Sequence, residues 1–420
     1  MLYPEAPKDM LTTVLRRPIS IALIPCRNYK RRYLPTRLYD LRYSEGVSTW
    51  HSNARRVASP GRVLISYITS PFRLAPQDPA NVRFSNVGIA RTMVRALNDL
   101  GYVVDLIDYD DARFVPKQSY DLFIGHAGNN FERIARRLPT GATTIYFATG
   151  SYWSTNNGRE LERLGDLQRR RGVWLPPERL VTHSEEWANK HADGIICLGN
   201  TANKETFVAF PVVYALNNAA YFDAHYDMQS KDFEAGRRNV LYFAGPGNVH
   251  KGLDLLLEAF DGLDAHLYIC QHVRPDFAAI YRRELRLPNV HLIGHIAMRS
   301  PRFYDLANRC NVVISPSCSE ASQGAIIECM HQGLIPIMSK ESTIDAGDYG
   351  ITLQECTVGE IASVVKDVTG RPTAWHKIMS HRTRQATITD FSEEAFYRNM
   401  KRAICQIHSY TRGQRRCDLT

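Results

Sequence analysis

Short apolar blocks alternate with longer amphipathic ones from residue 62 onward. "RVLISYITS" (62–70) is a β-rich run, and "NVGIARTMVRALNDLG" (86–101) repeats Ile89, Met93, Leu97 and Leu100 at helical spacing, with Gly101 where a C-terminal cap belongs. "YVVDLIDY" (102–109), "YDLFIGHAG" (120–128), "ATTIYFAT" (142–149) and "ADGIICLGN" (192–200) follow, each apolar enough for a strand buried on both faces. The rhythm restarts at "RNVLYFAGPGNVHKGLDLLLEAFDGL" (238–263), which reads strand, glycine turn, helix. "AHLYICQ" (265–271), "NVHLIGH" (289–295) and "CNVVISPS" (310–317) are further buried strands. Two such cycles predict an α/β protein of two Rossmann-like domains, each a doubly wound parallel sheet.

The predicted division is a basic extension at 1–60, a first domain at 61–230, a second at 231–390, and a C-terminal helix with a basic tail at 391–420. The boundary falls near 225–237, within the polar "DAHYDMQSKDFEAG". The helix over "SEEAFYRNMKRAICQIHSY" (392–410) carries no pattern that assigns it to either domain.

Composition agrees with an ordinary globular chain: 420 residues, 44% hydrophobic and 23% charged, longer than a single core supports. The net charge of +9 is uneven, with +7 in residues 1–60 and +2 in the rest. At the centre of the extension, "CRNYKRRYLPTRLYDLRY" (26–43) mixes cations with tyrosines and leucines. It reads either as an adhesive surface for anionic lipid headgroups or as a solvated arm packed on the domain. No nucleic-acid-binding motif accompanies the charge. Nine scattered cysteines without a CxxC pair point to reduced thiols in the cytosol, not to disulfides or structural zinc. Neither a signal peptide nor a run of about 18 uncharged apolar residues is present, so a cytoplasmic chain is expected, with the inner membrane face as a peripheral site.

The candidate chemistry lies in "SPSCSEASQGAIIECMHQGLIPIMS" (315–339). A strand exits into a small polar loop; a helix follows, with Ser322 as its expected N-cap, Gly324 in its first turn and Gly333 as its C-terminal stop. A helix N-terminus at the carboxyl end of a parallel strand is an anion site, because unpaired N–H groups and the helix dipole converge there. Glu320 precedes the helix and Glu328 lies inside it, so a bound phosphate would have a hydroxyl-accepting carboxylate on either side. A phosphorylated sugar or a nucleotide suits that arrangement. The bland alternative, two exposed glutamates, fits poorly with the neighbouring Ile326, Ile327 and Met330.

Two motifs are discounted. "GPGNVHKG" (245–252) has His250 where a dinucleotide fingerprint needs glycine. Asp108-Tyr109-Asp110 ends an early strand, where acidic residues serve as strand-end polar groups, so no metal is expected there or elsewhere.

From 241 to 339 the chain resembles the retaining glycosyltransferases of family 4, with a more diffuse likeness over 62–410. The proline-serine strand exit, Glu320, seven residues, Glu328, the helix-ending Gly333 and the strand "LIPIMS" carry the resemblance, together with "FAGPGNVHKGLDLLLEAF". The resemblance implies the GT-B architecture and transfer of a sugar from a nucleotide sugar to a saccharide or lipid-linked saccharide, with no cofactor beyond the donor.

Residue by residue, it implies that Glu320 holds donor-sugar hydroxyls, Glu328 the ribose, and Lys251 the diphosphate. The amides around Gln323 and Gly324 take further phosphate oxygens, Gly247 belongs to the glycine turn, and residues 294–296, with His295, border the base. In the first domain Gly88 marks the turn near the diphosphate, and His126 lines the cleft. Trp153 and Tyr152 would stack on a sugar, and Arg169, Arg170 and Arg171 would meet a lipid diphosphate unless they form an ordinary surface helix.

The family's arginine a few residues before the lysine is missing. Either Asn248, His250 or Arg274 substitutes for it, or donor binding is weak. Two other readings follow from the same features: an epimerase or phosphorylase on this fold, and a catalytically degenerate partner subunit.

Overall fold

The structure, a computed structural model, describes residues 61–72, 85–126, 128–220 and 230–417. The basic extension, with its expected lipid contact, and residues 225–229 of the expected domain boundary lie outside the described residues.

Each apolar cycle forms one six-stranded sheet, parallel throughout. The first contains β1 (Arg62–Tyr67), β2 (Val103–Asp108), β3 (Leu122–Gly125), β4 (Thr143–Ala148), β5 (Gly194–Leu198) and β6 (Val213–Leu216), in the order β2-β1-β3-β4-β5-β6. The second contains β7 (Asn239–Phe243), β8 (His266–Cys270), β9 (Val290–Leu292), β10 (Val312–Ser315), β11 (Ile335–Ser339) and β12 (Ile351–Leu353), in the order β12-β11-β10-β7-β8-β9. Sequence pattern misses β6 and β12, which are only four and three residues long and lie at sheet edges.

Alternate residues of each strand feed separate cores, as a pleated sheet requires. Val63 and Ile65 join one cluster and Leu64 the other; Val240 and Tyr242 are likewise separated from Leu241 and Phe243. In both sheets the winding direction reverses at a neighbouring strand pair, β1 and β3 in the first and β7 and β10 in the second. Ligands of open α/β sheets bind outside the carboxyl ends of the strands at such a switch point. The β7 exit carries Lys251 and the β10 exit carries Glu320, so topology brings together residues 69 positions apart.

The helices that matter below are α1 (Ser85–Asp99), α2 (Trp153–Arg171), α3 (Leu253–Ala259), α4 (Gly324–His331) and α5 (Glu393–Cys417). Gly101 follows α1 with φ +87°, and its N–H returns to Asn98 O at 2.8 Å. Two helices pack on the sheet that their position in the chain does not suggest. α5 buries Phe396, Met400, Ala403, Ile404 and Ile407 in the first sheet's core beside Ile89 and Met93 of α1. A Cβ at Gly194 would lie 2.8 Å from Ile407, which is why the start of β5 is glycine.

α2, from the first half of the chain, buries Leu164 and Leu167 in the second sheet's core with Leu253 and Leu256. The expected lipid-binding role of its arginines is corrected here. Arg170 pairs with Asp254 and Glu258, and Arg171 reaches Glu258 at 3.0 Å and Glu284 at 2.9 Å, so both bind the helix to the second domain. Arg169 pairs with Asp166 on its own helix. Among the described residues, no helix is long and apolar enough to cross a membrane.

Candidate active site

Lys251 and Glu320 form a pair whose side chains are 8% and 11% exposed. Lys251 stands at the end of the glycine turn because Gly252, at φ +79°, opens α3; a Cβ there would fall 2.4 Å from Pro316 O. That contact presses the β7 exit against the β10 exit and lets only glycine occupy the position. Burial raises the Glu320 carboxyl, but Lys251 and His250, with a hydrogen bond from Ser317 Oγ at 2.7 Å, outweigh it and hold Glu320 below the ordinary carboxylate range. Both Lys251 and Ser317 bind Oε1, which leaves Oε2 for an incoming hydroxyl. Lys251 has two further N–H donors to offer a phosphate.

Glu328 is also paired. Arg299, at φ +58°, forks onto it, with Nε 3.0 Å from Oε2 and Nη2 on Oε1; the two side chains are 7% and 6% exposed. The expected freely accepting carboxylate is therefore held on both oxygens by the guanidinium fork. Sequence reading missed Arg299, since nothing in "GHIAMRS" (294–300) distinguishes it from a surface loop arginine.

Ser322 is not the N-cap of α4. Its backbone lies at φ +50°, outside the extended region a cap occupies, and its Oγ instead accepts from Asn218 N at 2.8 Å in the first domain. Gln323 holds the cap position without a capping side chain, and its Oε1 accepts from Ser315 Oγ at 2.6 Å. Ile326 and Ile327 donate back to Gln323 O at 3.0 and 3.2 Å, so among the described residues the amides of Gly324 and Ala325 are the unpaired ones of the first turn. Gly333, at φ +69°, closes the helix with its N–H on Met330 O at 2.8 Å.

The three expected substitutes for the missing arginine are all committed. Asn248 donates to Gln271 Oε1 at 2.8 Å and to His272 O at 3.0 Å, and accepts from Arg274 N at 3.0 Å. His250, 3% exposed, contacts Ser319 O at 2.8 Å through Nε2 and faces Glu160 Oε2 at 3.6 Å through Nδ1. Arg274 binds Asp276 through Nε at 3.0 Å and through Nη2, and lies 3.6 Å from Glu178. These three side chains brace the turn, Arg274 keeping guanidinium N–H groups beyond those contacts. Gly247 turns at φ +109°, facing Arg179 of the first domain. Gly294 turns at φ +79°, and His295 beyond it is exposed.

The first domain meets this edge directly. Ser151, just past β4, donates from Oγ to Glu320 O at 3.1 Å. His126 ends the neighbouring β3 and lies on the same side. Its Nδ1 donates to Phe147 O at 3.0 Å, and Tyr67 and Tyr109 stand edge-on at 5.4 and 5.5 Å. Burial is the main cause of a pKa lowered to about 4, against the weaker effect of that hydrogen bond, so the ring is neutral with Nε2 as an acceptor. Gly88 is buried in the first turn of α1.

Trp153 is not brought onto Glu320. Its Nε1 donates to Glu186 at 3.0 Å, the carboxylate that Tyr152 also holds at 2.6 Å. Asp108 accepts from Thr69 Oγ1 at 3.1 Å and lies at the end of β2, on the opposite side of β1 from His126's strand.

Residues 238–369, within the second domain, match the family model Glycosyl transferases group 1. Among solved structures, sucrose-phosphate synthase from Thermosynechococcus elongatus is 15% identical, with 83% of this chain and 99% of that one covered and a TM-score of 0.57. HepE of Anabaena, solved in complex with UDP, is 12% identical over 82% of this chain and 100% of that one, with a TM-score of 0.53. At such identities the likeness is one of fold, and the fold is GT-B: two Rossmann-like domains facing a cleft. The match to TarM, 14% identical with a TM-score of 0.49, covers 67% of this chain and spans only 54% of TarM. No curated protein matches the sequence.

Proposed function

We propose that the protein is a retaining glycosyltransferase that moves a sugar from a nucleotide sugar to a saccharide or lipid-linked saccharide acceptor. The observation that carries this reading is the buried Lys251–Glu320 pair beside the free N-terminal amides of α4, at the switch point of the second sheet. A cation and helix amides suit a leaving diphosphate, and the outward Oε2 of Glu320 suits a sugar hydroxyl. Glu328, steadied by Arg299, suits a ribose.

In the reaction, the bond from the anomeric carbon to the phosphate oxygen breaks as the acceptor oxygen bonds to that carbon on the same face. The acceptor proton passes to a phosphate oxygen of the departing nucleoside diphosphate. No enzymic nucleophile is assigned; the side chains position the partners and stabilise charge. Lys251 and the amides of Gly324 and Ala325 carry the leaving charge without a metal or cofactor. The acceptor enters from the first domain, past neutral His126, whose Nε2 suits an acceptor or donor hydroxyl. Assembly of cell-surface saccharides at the cytoplasmic membrane face is the setting this reading favours.

The test supplies UDP-, GDP-, ADP- and dTDP-sugars to the purified protein with saccharide acceptors and measures nucleoside diphosphate release. Acceptor-dependent release is expected, with a loss of about 10²–10³-fold in Glu320→Gln. Interconversion of the sugar nucleotide without an acceptor would establish an epimerase instead. Absence of binding by every nucleotide sugar would leave the scaffold reading.

A further inference from the structure

At the proposed donor edge Lys251 is paired with Glu320, and the side chains around it show which further cation a diphosphate could meet. Arg163 is 8% exposed and donates to Pro316 O at 3.0 Å, which places it behind the β10 exit as a structural group. Asn248 and His250 are bonded within the turn and Arg274 is held by Asp276 and Glu178, whereas Arg179 has no ion-pair partner among the described residues.

We infer that Arg179, in the loop after α2, supplies the missing donor-phosphate cation from the first half of the chain. Three observations support it. Its aliphatic stem lies on the glycine turn, with Cγ and Cδ 3.0 and 3.5 Å from where a Cβ of Gly247 would stand. Its backbone is pinned there: Arg179 N donates to Glu160 Oε1 at 2.8 Å, and Arg179 O accepts from Asn156 Nδ2 at 3.0 Å. Next to it, Glu178 Oε1 accepts from Asn248 N at 2.8 Å, which locks the loop to the turn residue by residue. Beyond the stem, the Arg179 guanidinium is exposed and has no hydrogen-bond or ion-pair partner among the described residues.

An unpaired guanidinium whose stem lies on the glycine turn offers the fork that a phosphate accepts in two places, which no lysine does. Glycine at 247 is required for this approach, since any Cβ would push the arginine stem away. The fork also explains the Glu160 side chain: it is 2% exposed, takes the N–H groups of both Glu178 and Arg179, and faces His250 in the second domain. Glu160 is thus a positioning residue that fixes the arginine loop against the donor turn. The chain would carry the family's arginine at a different place in sequence but at the same glycine turn.

This inference rests on the proposed donor reading, and its test separates the two. Inorganic pyrophosphate and the four nucleoside diphosphates are titrated against wild type, Arg179→Gln and Arg179→Lys by calorimetry, with the corresponding nucleosides as controls. Loss of a charged fork is expected to weaken pyrophosphate and diphosphate binding about 10- to 100-fold in Arg179→Gln, with Arg179→Lys in between and nucleoside binding unchanged. The melting temperature of the unliganded variant should match wild type, since the guanidinium is exposed. Equal affinity of wild type and Arg179→Gln for a bound diphosphate would overturn the assignment and leave the donor reading intact. If wild type binds neither pyrophosphate nor any diphosphate, the donor reading and the Arg179 role both fail.

Discussion

The carboxyl edges of the two sheets are built differently. At the second, the buried side chains are paired with one another: Lys251 with Glu320, Arg299 with Glu328, Asn248 with Gln271, Gln323 with Ser315. At the first, His126 makes one hydrogen bond through its ring, and Arg179 none through its guanidinium among the described residues. The second edge is pre-organised for one kind of ligand, since its charges are held in place by each other before a donor arrives. The first half of the chain leaves these polar groups available to a ligand.

That contrast can be broken at its most committed point. Glu328→Ala removes the partner of a buried guanidinium and is expected to cost about 3–5 kcal/mol of stability, read from urea unfolding at neutral pH. A loss under about 1 kcal/mol would mean that the second edge is far less pre-organised than its pairs imply. Next, Gly252→Ala forces a side chain into φ +79° with its Cβ 2.4 Å from Pro316 O. A loss of about 3 kcal/mol is expected in the same measurement.

At the first edge the expected effect is pH-dependent. The folded His126 has a pKa of about 4 against an ordinary 6.5, so the unfolded chain takes up its proton first as pH falls. Stability is therefore full above about pH 6.5, declines toward pH 4 and declines no further below that on its account. His126→Asn should flatten the fall between pH 7 and pH 4.5 by about 1–3 kcal/mol, His376 retaining its own share, since its pKa is lowered to about 4 as well. An unchanged acid limb would show that the ring titrates like a solvated one. The smallest effect belongs to the helix that joins the two edges. Arg169→Ala, whose one ion pair among the described residues is with Asp166 on the exposed face of α2, should change stability by less than about 0.5 kcal/mol.

The strands buried on both faces could be read from the chain because apolar runs between glycine turns leave little choice of element. The places of Glu320, Glu328 and the helix-closing Gly333 were readable for a related reason: a strand exit followed by a short helix puts its polar residues at one edge, whereas Lys251 came from the family resemblance alone. Ser322 was misread because residue type suggests a cap while the backbone, set by contacts with Asn218 and Thr343, takes a conformation that cannot form one. The edge strands β6 and β12 were missed because three or four residues carry too little periodicity.

Local hydrophobic period and turn chemistry act over a few residues, so the two parallel sheets and the residue types at the carboxyl edge of the second follow from the chain alone. Which partners those residues have does not. Arg299 meets Glu328 across 29 positions, Arg170 and Arg171 of α2 cross to the second domain, α5 returns to the first, and Arg179 reaches the turn at Gly247. Each of these contacts depends on the order of strands in a sheet or the docking of a whole helix, and no local spacing in the chain encodes that.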